Sequence, residues 1–145
     1  MIDTVNASAL IARARVEKRA ALDELAGKRL LAAYGVAVPE SVMISGAEEV
    51  ARALKALTAP VAVKVMSPDI LHKSDAGGVK VGLRTAVEVQ DAVRAMMASP
   101  GIGAARVDGF LIEEMAPPGQ EIVVGGVRDP QFGPLVMVGL GGVFV

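Results

Sequence analysis

Apolar positions along the chain change their spacing several times, and each change marks an element. From about Ala7 to Arg19 the composition is helix-forming, with Leu10, Ile11 and Val16 set among Arg13, Arg15, Glu17 and Lys18. A second helix is predicted from Ala21 to Tyr34, with Leu22, Leu25, Leu30 and Leu31 on one side and Gly35 at the C′ position. A short strand follows at Ser41-Val42-Met43-Ile44. Ser45-Gly46-Ala47-Glu48 has the capping-box pattern and opens a third helix to about Leu57, with Val50, Leu54 and Leu57 inward.

The period then drops to that of strands at Val61 to Met66 and again at Val79 to Leu83, on either side of a polar loop. Thr85-Ala86-Val87-Glu88 is a second capping box. It opens a helix to about Met97 that turns Val89, Val93, Met96 and Met97 inward, and Ser99 to Gly103 reads as a turn. Phe110 to Met115 reads as a buried strand and Ala116-Pro117-Pro118-Gly119 as a turn. Two further strands are expected at Glu121 to Val127 and Leu135 to Val138, joined through Arg128-Asp129-Pro130. Strands alternating with helices argue for an α/β or α+β layered domain.

Composition narrows this picture. A chain of 145 residues suits one modest domain that buries roughly two-thirds of its unfolded surface. It is 52% hydrophobic and only 3% aromatic, so the core must be aliphatic. No apolar run approaches the roughly 18–20 residues of a membrane span. The start lacks the basic and apolar regions of a secretory signal. With no cysteine there is no disulfide or thiolate metal site, which suits a reducing, cytoplasmic setting. A formal charge of −1 and three phenylalanines offer no basic, aromatic-laced surface for nucleic acid. The closing run Gly139 to Val145 is apolar, the pattern of a piece of a longer protein rather than of a natural domain end.

Candidate chemistry concentrates in Ser67-Pro68-Asp69-Ile70-Leu71-His72-Lys73-Ser74-Asp75-Ala76-Gly77-Gly78-Val79, which carries the only histidine. A polar connection of about a dozen residues is longer than a compact domain needs. Gly77 and Gly78 would let backbone N–H groups approach an anion, and a nearby lysine adds a point charge suited to phosphate. Lys64 interrupts an apolar strand. It is either an edge-strand lysine whose stem snorkels or a cation aimed at a ligand phosphate, and a charge in such a strand invites a partner. Lys80 reads the same way. His72 is either a solvated loop residue or a nucleophile, the latter needing an acceptor to hold one ring nitrogen. Asp69 and Asp75 are local candidates, and a carboxylate from elsewhere would serve equally. Metal binding is disfavoured because no second histidine or cysteine could complete a site. Glu113 and Glu121 lie eight residues apart on neighbouring strands, either as ordinary strand-end carboxylates or at a nucleotide's ribose or magnesium. Arg128-Asp129 reads as an ion pair in a tight turn, and Gly141-Gly142 as a bulge or a nucleotide-facing turn.

Taken in order, Val63-Lys64-Val65, the Ser67 to Leu83 run, Leu111 to Met115, Gly119-Gln120-Glu121 and Gly125 to Pro134 resemble the ATP-grasp module of the ADP-forming acyl-CoA synthetases. These are relatives of the succinyl-CoA synthetase β subunit. The resemblance covers roughly residues 21–145 and rests mainly on the string Ser-Pro-Asp-Ile-Leu-His-Lys-Ser-Asp-Ala-Gly-Gly-Val.

The resemblance implies an ATP-grasp fold cut short. Residues 1–20 would be a leader helix, residues 21–112 the first lobe, and residues 113–145 the start of the second. It implies synthesis of acyl-CoA, ADP and phosphate from a carboxylic acid, CoA and ATP with magnesium, a phosphoryl group passing through phosphohistidine. His72 matches the histidine that carries the phosphoryl group to the nucleotide. Lys64 matches a lysine on the nucleotide phosphates, Glu113 and Met115 the strand that reads adenine, and Glu121 a carboxylate facing ribose. The magnesium ligands would lie beyond Val145, and CoA would bind a partner domain or α subunit. In some homologues the same module is fused to an acetyltransferase, which implies the alternative of a nucleotide or acyl-CoA sensor without turnover.

Overall fold

The structure is a computed structural model that describes residues 2–70 and 72–141. It divides into two compact units, Met1–Met115 and Ala116–Val145. The helix α1 (Thr4–Val16) and the helix α2 (Glu24–Ala33) belong to the first unit. Gly141 donates to the Glu121 carbonyl (3.0 Å), while Gly142 lies outside the described residues.

The first unit is built on a four-stranded sheet of β1 (Ser41–Ile44), β2 (Val61–Met66), β3 (Val79–Leu83) and β4 (Gly109–Glu114), in the order β1-β4-β2-β3. Every neighbouring pair is antiparallel. β2 is therefore an inner strand, which removes the edge-strand reading of Lys64. Its alternation separates two faces. Val61, Val63 and Val65 join Phe110 and Ile112 in the main core, against Val89, Val93 and Met96 of α4 (Ala86–Ala98) and Ile102 of α5 (Pro100–Gly103). Ala62, Lys64 and Met66 point to the other face, opposite Glu113, Leu111 and Gly109 of β4.

Local signals explain where several elements stop and start. α2 is shorter than the expected Ala21 to Tyr34 because Asp23 caps it, accepting from the Ala26 N–H (2.8 Å). It ends in a Schellman motif, with Gly35 at φ +82° donating to the Ala32 carbonyl and Val36 donating to that of Leu31. The Thr85–Glu88 capping box is present in full, though Met97 is exposed and Ala92 lies inward in its place. At Ser45 the box does not form. The helix breaks into 3₁₀ turns (Ala47–Glu49 and Leu54–Ala56) around α3 (Val50–Ala53), and Glu49, not Glu48, accepts from the Ser45 N–H. The Ser99 turn is instead capped helix, with Ser99 accepting from the Ile102 N–H and Pro100 at the first position.

The second unit is a two-stranded antiparallel ribbon of β5 (Ile122–Asp129) and β6 (Gly133–Leu140), longer than the sequence suggests. Asp129 does not pair with Arg128. Its carboxylate accepts from the N–H groups of Gln131 and Phe132 (2.8 and 2.9 Å) and shapes the turn.

Candidate functional site

The antiparallel register of β2 and β4 sets Ala62 opposite Glu113 and Lys64 opposite Leu111. Lys64 and Glu113 thus share a face one step apart, and the Lys64 ammonium lies 3.3 Å from Glu113 Oε1. Glu113 is buried, and a buried carboxylate needs cations around it. A second comes from α2, where Glu24 and Lys28 stand one turn apart and Lys28 pairs with both Glu24 (2.9 Å) and Glu113. Glu24 in turn accepts from Lys64 (2.5 Å) and, through its other oxygen, from Lys73 of the β2–β3 loop (2.8 Å). Three lysines and two glutamates from a helix, two strands and a loop therefore meet above one face of the sheet.

Glu24 is the hub. Burial alone would raise its pKa, but hydrogen bonds from Lys64, Lys73 and Lys28 outweigh this and hold it down to about 2. Lys28 is lowered, first by burial and partly by the Lys64 charge, with Glu24 opposing.

Beside this network lies an open cleft of about 480 Å³, lined by Glu24, Lys64, His72, Lys73, Ser74, Asp75 and Val79. The loop that forms its wall is internally braced. Ala76 donates to the His72 carbonyl, Gly77 to that of Ser74 and Gly78 to that of Lys73, and the Gly78 carbonyl accepts from Val65 (2.8 Å). The glycine pair has two separate causes. Gly77 has φ +72°, and a Cβ on Gly78 would collide with Val65. Both amides are engaged inside the loop, so the pair shapes the wall.

Expected residues fall out as follows. Lys64, His72 and Lys73 converge on the cleft, with His72 exposed to it. Asp75 also lines it. Asp69 accepts instead from the Arg106 N–H (2.8 Å), and among the described residues no carboxylate holds the imidazole. Lys80 pairs with Val63 across the strands, which puts it on the sheet face away from Lys64. Met115 follows β4, its N–H donating to Pro60 and its sulfur accepting from Gly82 (3.1 Å). Glu121 belongs to the second unit and is exposed. Sequence reasoning missed Glu24 and Lys28, although their spacing of four on a helix was a usable signal. Among the described residues no group of three metal-type ligands occurs, and Glu24 at the cleft and Glu113 in the network beside it are already matched by lysines, so these residues do not fit a magnesium site.

Comparison with known proteins identifies the family and the fold. A family model described as ATP-grasp domain matches residues 13–145. The β subunit of acetate–CoA ligase (ADP-forming) I from Pyrococcus furiosus is 42% identical over 138 residues, covering 94% of this chain and 59% of that protein. The 4-hydroxybutyrate–CoA ligase (ADP-forming) of Nitrosopumilus maritimus is 38% identical over 146 residues, covering 99% of this chain and 21% of that one. The acetyl-coenzyme A synthetase 1 of Ca. Korarchaeum cryptofilum, solved with coenzyme A and Ca-AMPCP, superposes with a TM-score of 0.87 at 40% identity, over 92% of this chain and 59% of that one. A second structure of it, with Mg-AMPPCP and its phosphohistidine segment pointing towards the nucleotide site, gives 0.78 at 40%, over 95% and 58%. The chain spans about three-fifths of the subunits it matches and about a fifth of the longer ligase. It belongs to the ATP-grasp domain family, in the form shared with the ADP-forming acid–CoA ligases.

Proposed function

We propose that this chain supplies the nucleotide-phosphate site of an ADP-forming acyl-CoA synthetase and that His72 relays the phosphoryl group there. The observation that carries the reading is the convergence of Lys64 and Lys73 with the exposed His72 on one cleft. Phosphoryl transfer asks a protein mainly for positioning and cationic stabilisation, and two lysine ammoniums beside an accessible imidazole supply both. A free imidazole nitrogen attacks the γ-phosphorus of ATP, forming N–P as the bond to the bridging oxygen breaks and ADP leaves. In the reverse direction a terminal oxygen of ADP attacks the same phosphorus, and the imidazole is released unchanged.

The remaining assignments rest on resemblance to the family. Glu113 and Met115 belong to the strand that reads adenine, and Glu121 meets ribose. Glu113's side chain has a further duty as the counter-ion of Lys28 and Lys64. ATP or ADP is the nucleotide. Magnesium, when bound, supplies charge neutralisation of the phosphates, with ligands outside the described residues. CoA binds a partner ligase domain or α subunit in a cytoplasmic enzyme.

Titration calorimetry of the 145-residue chain with ATP and magnesium tests the phosphate site. Lys64→Met should weaken binding by roughly tenfold or more, the scale of a charge-assisted contact. Equal affinity in the variant, or no binding by the wild type, would contradict the assignment.

A further inference from the structure

We propose that Glu24 is the resident occupant of the phosphate subsite, and that an incoming phosphate takes Lys64 and Lys73 from it and so loosens α2 from the sheet. This rests on the phosphate reading of the cleft and extends it to a conformational consequence. Three facts carry it.

Glu24 uses both carboxylate oxygens as an anion would, Oε1 on Lys64 (2.5 Å) and Lys28 (2.9 Å) and Oε2 on Lys73 (2.8 Å). Two of those lysines also line the cleft with His72. A phosphate placed to react with that imidazole would therefore compete with Glu24 for the same two ammoniums. Second, α2 is not built into the main core. That cluster contains no residue of α1 or α2, and the buried residue of α2 is Ala33 at its far end, where its carbonyl accepts from Asp3 beside α1. The ion network is thus a principal tie between the start of α2 and the sheet. Third, the tie is divisible. Lys28 also pairs with Glu113, so α2 keeps one anchor when Glu24 gives up Lys64 and Lys73.

A ligand shifts such an equilibrium only through its differential affinity for the two states, and the coupling is reciprocal. Phosphate binding should loosen α2, and weakening Glu24 should tighten phosphate binding.

The test combines amide hydrogen exchange with calorimetry on the 145-residue chain, using inorganic triphosphate and, separately, ATP with magnesium. In the wild type either ligand should speed exchange in the first turns of α2 while slowing it in the His72–Lys80 segment. Glu24→Gln should bind triphosphate roughly fivefold more tightly, and its α2 should show no further ligand-dependent change. Asp91→Asn, which removes an equal charge from an exposed pair on α4, should match the wild type and controls for net charge. Slower exchange in α2 on binding, or affinity in Glu24→Gln equal to or below wild type, would overturn the exchange of partners while leaving nucleotide binding intact. The expected response to triphosphate without any ATP binding would support the exchange and remove the nucleotide reading. No binding of either ligand would overturn both.

Discussion

At the residue scale the site is an exercise in compensating buried charge. Lys64 was legible because a cation inside Val-Ala-Val-Lys-Val demands a partner. Its partners were not, because Glu24 and Glu113 stand 40 and 49 residues away and come near only through the register of β2 with β4 and the docking of α2. Glu24 also governs a pH dependence. Its folded pKa of about 2 lies below the ordinary 4.5, so it stabilises the fold above that ordinary value, and the contribution is lost as pH falls from 4.5 towards 2. With solvent screening of a half-buried group, about 1–2 kcal/mol is at stake. Denaturant unfolding between pH 7 and pH 2.5 should show Glu24→Gln less stable at neutral pH and converging on the wild type in acid. Parallel curves for the two proteins would show that the carboxylate is not held by the lysines.

At the element scale, two nearly identical motifs had different fates. Thr85-Ala86-Val87-Glu88 forms its reciprocal bonds, whereas Ser45-Gly46-Ala47-Glu48 does not. The second helical segment begins one residue later, at Ala47, so Gly46 occupies the cap and has no side chain to accept a bond. A four-letter pattern does not fix that phase. Thr85→Ala should therefore cost about 1 kcal/mol of stability. Ser45→Ala should cost less than about 0.5 kcal/mol, since only its backbone N–H is engaged. Equal losses in thermal unfolding would contradict the assigned caps. The strands and α4 were readable because their apolar periods are strong and uninterrupted. Met97 misled because it adjoins Met96 at the end of α4, where both are apolar and only one can face the core.

At the scale of the whole molecule the two units differ in kind. Met1–Met115 has an aliphatic core around Phe110, as the composition required. The ribbon of β5 and β6 exposes Ile122, Val124, Val136, Val138 and Leu140, each more than 60% accessible. Two strands alone are marginal in water, and contiguous exposed apolar surface promotes association. Light scattering of the 145-residue chain should show a molar mass that rises with concentration, and Val136→Lys with Val138→Lys should restore a constant one. A concentration-independent monomer in the unaltered chain would contradict this. The sequence pattern announced the strands correctly, but an apolar run looks the same whether its cover is present or not.

The most direct test of the proposed relay is acid-labile, base-stable labelling by γ-labelled ATP and magnesium, measured on this chain alone and with the CoA-binding subunit of an ADP-forming acyl-CoA synthetase added. A label that forms in the wild type and disappears in His72→Ala, with ATP affinity unchanged, is the predicted result. Undiminished labelling of the variant, or no label in either protein while ATP still binds, would contradict a phosphoryl relay through His72.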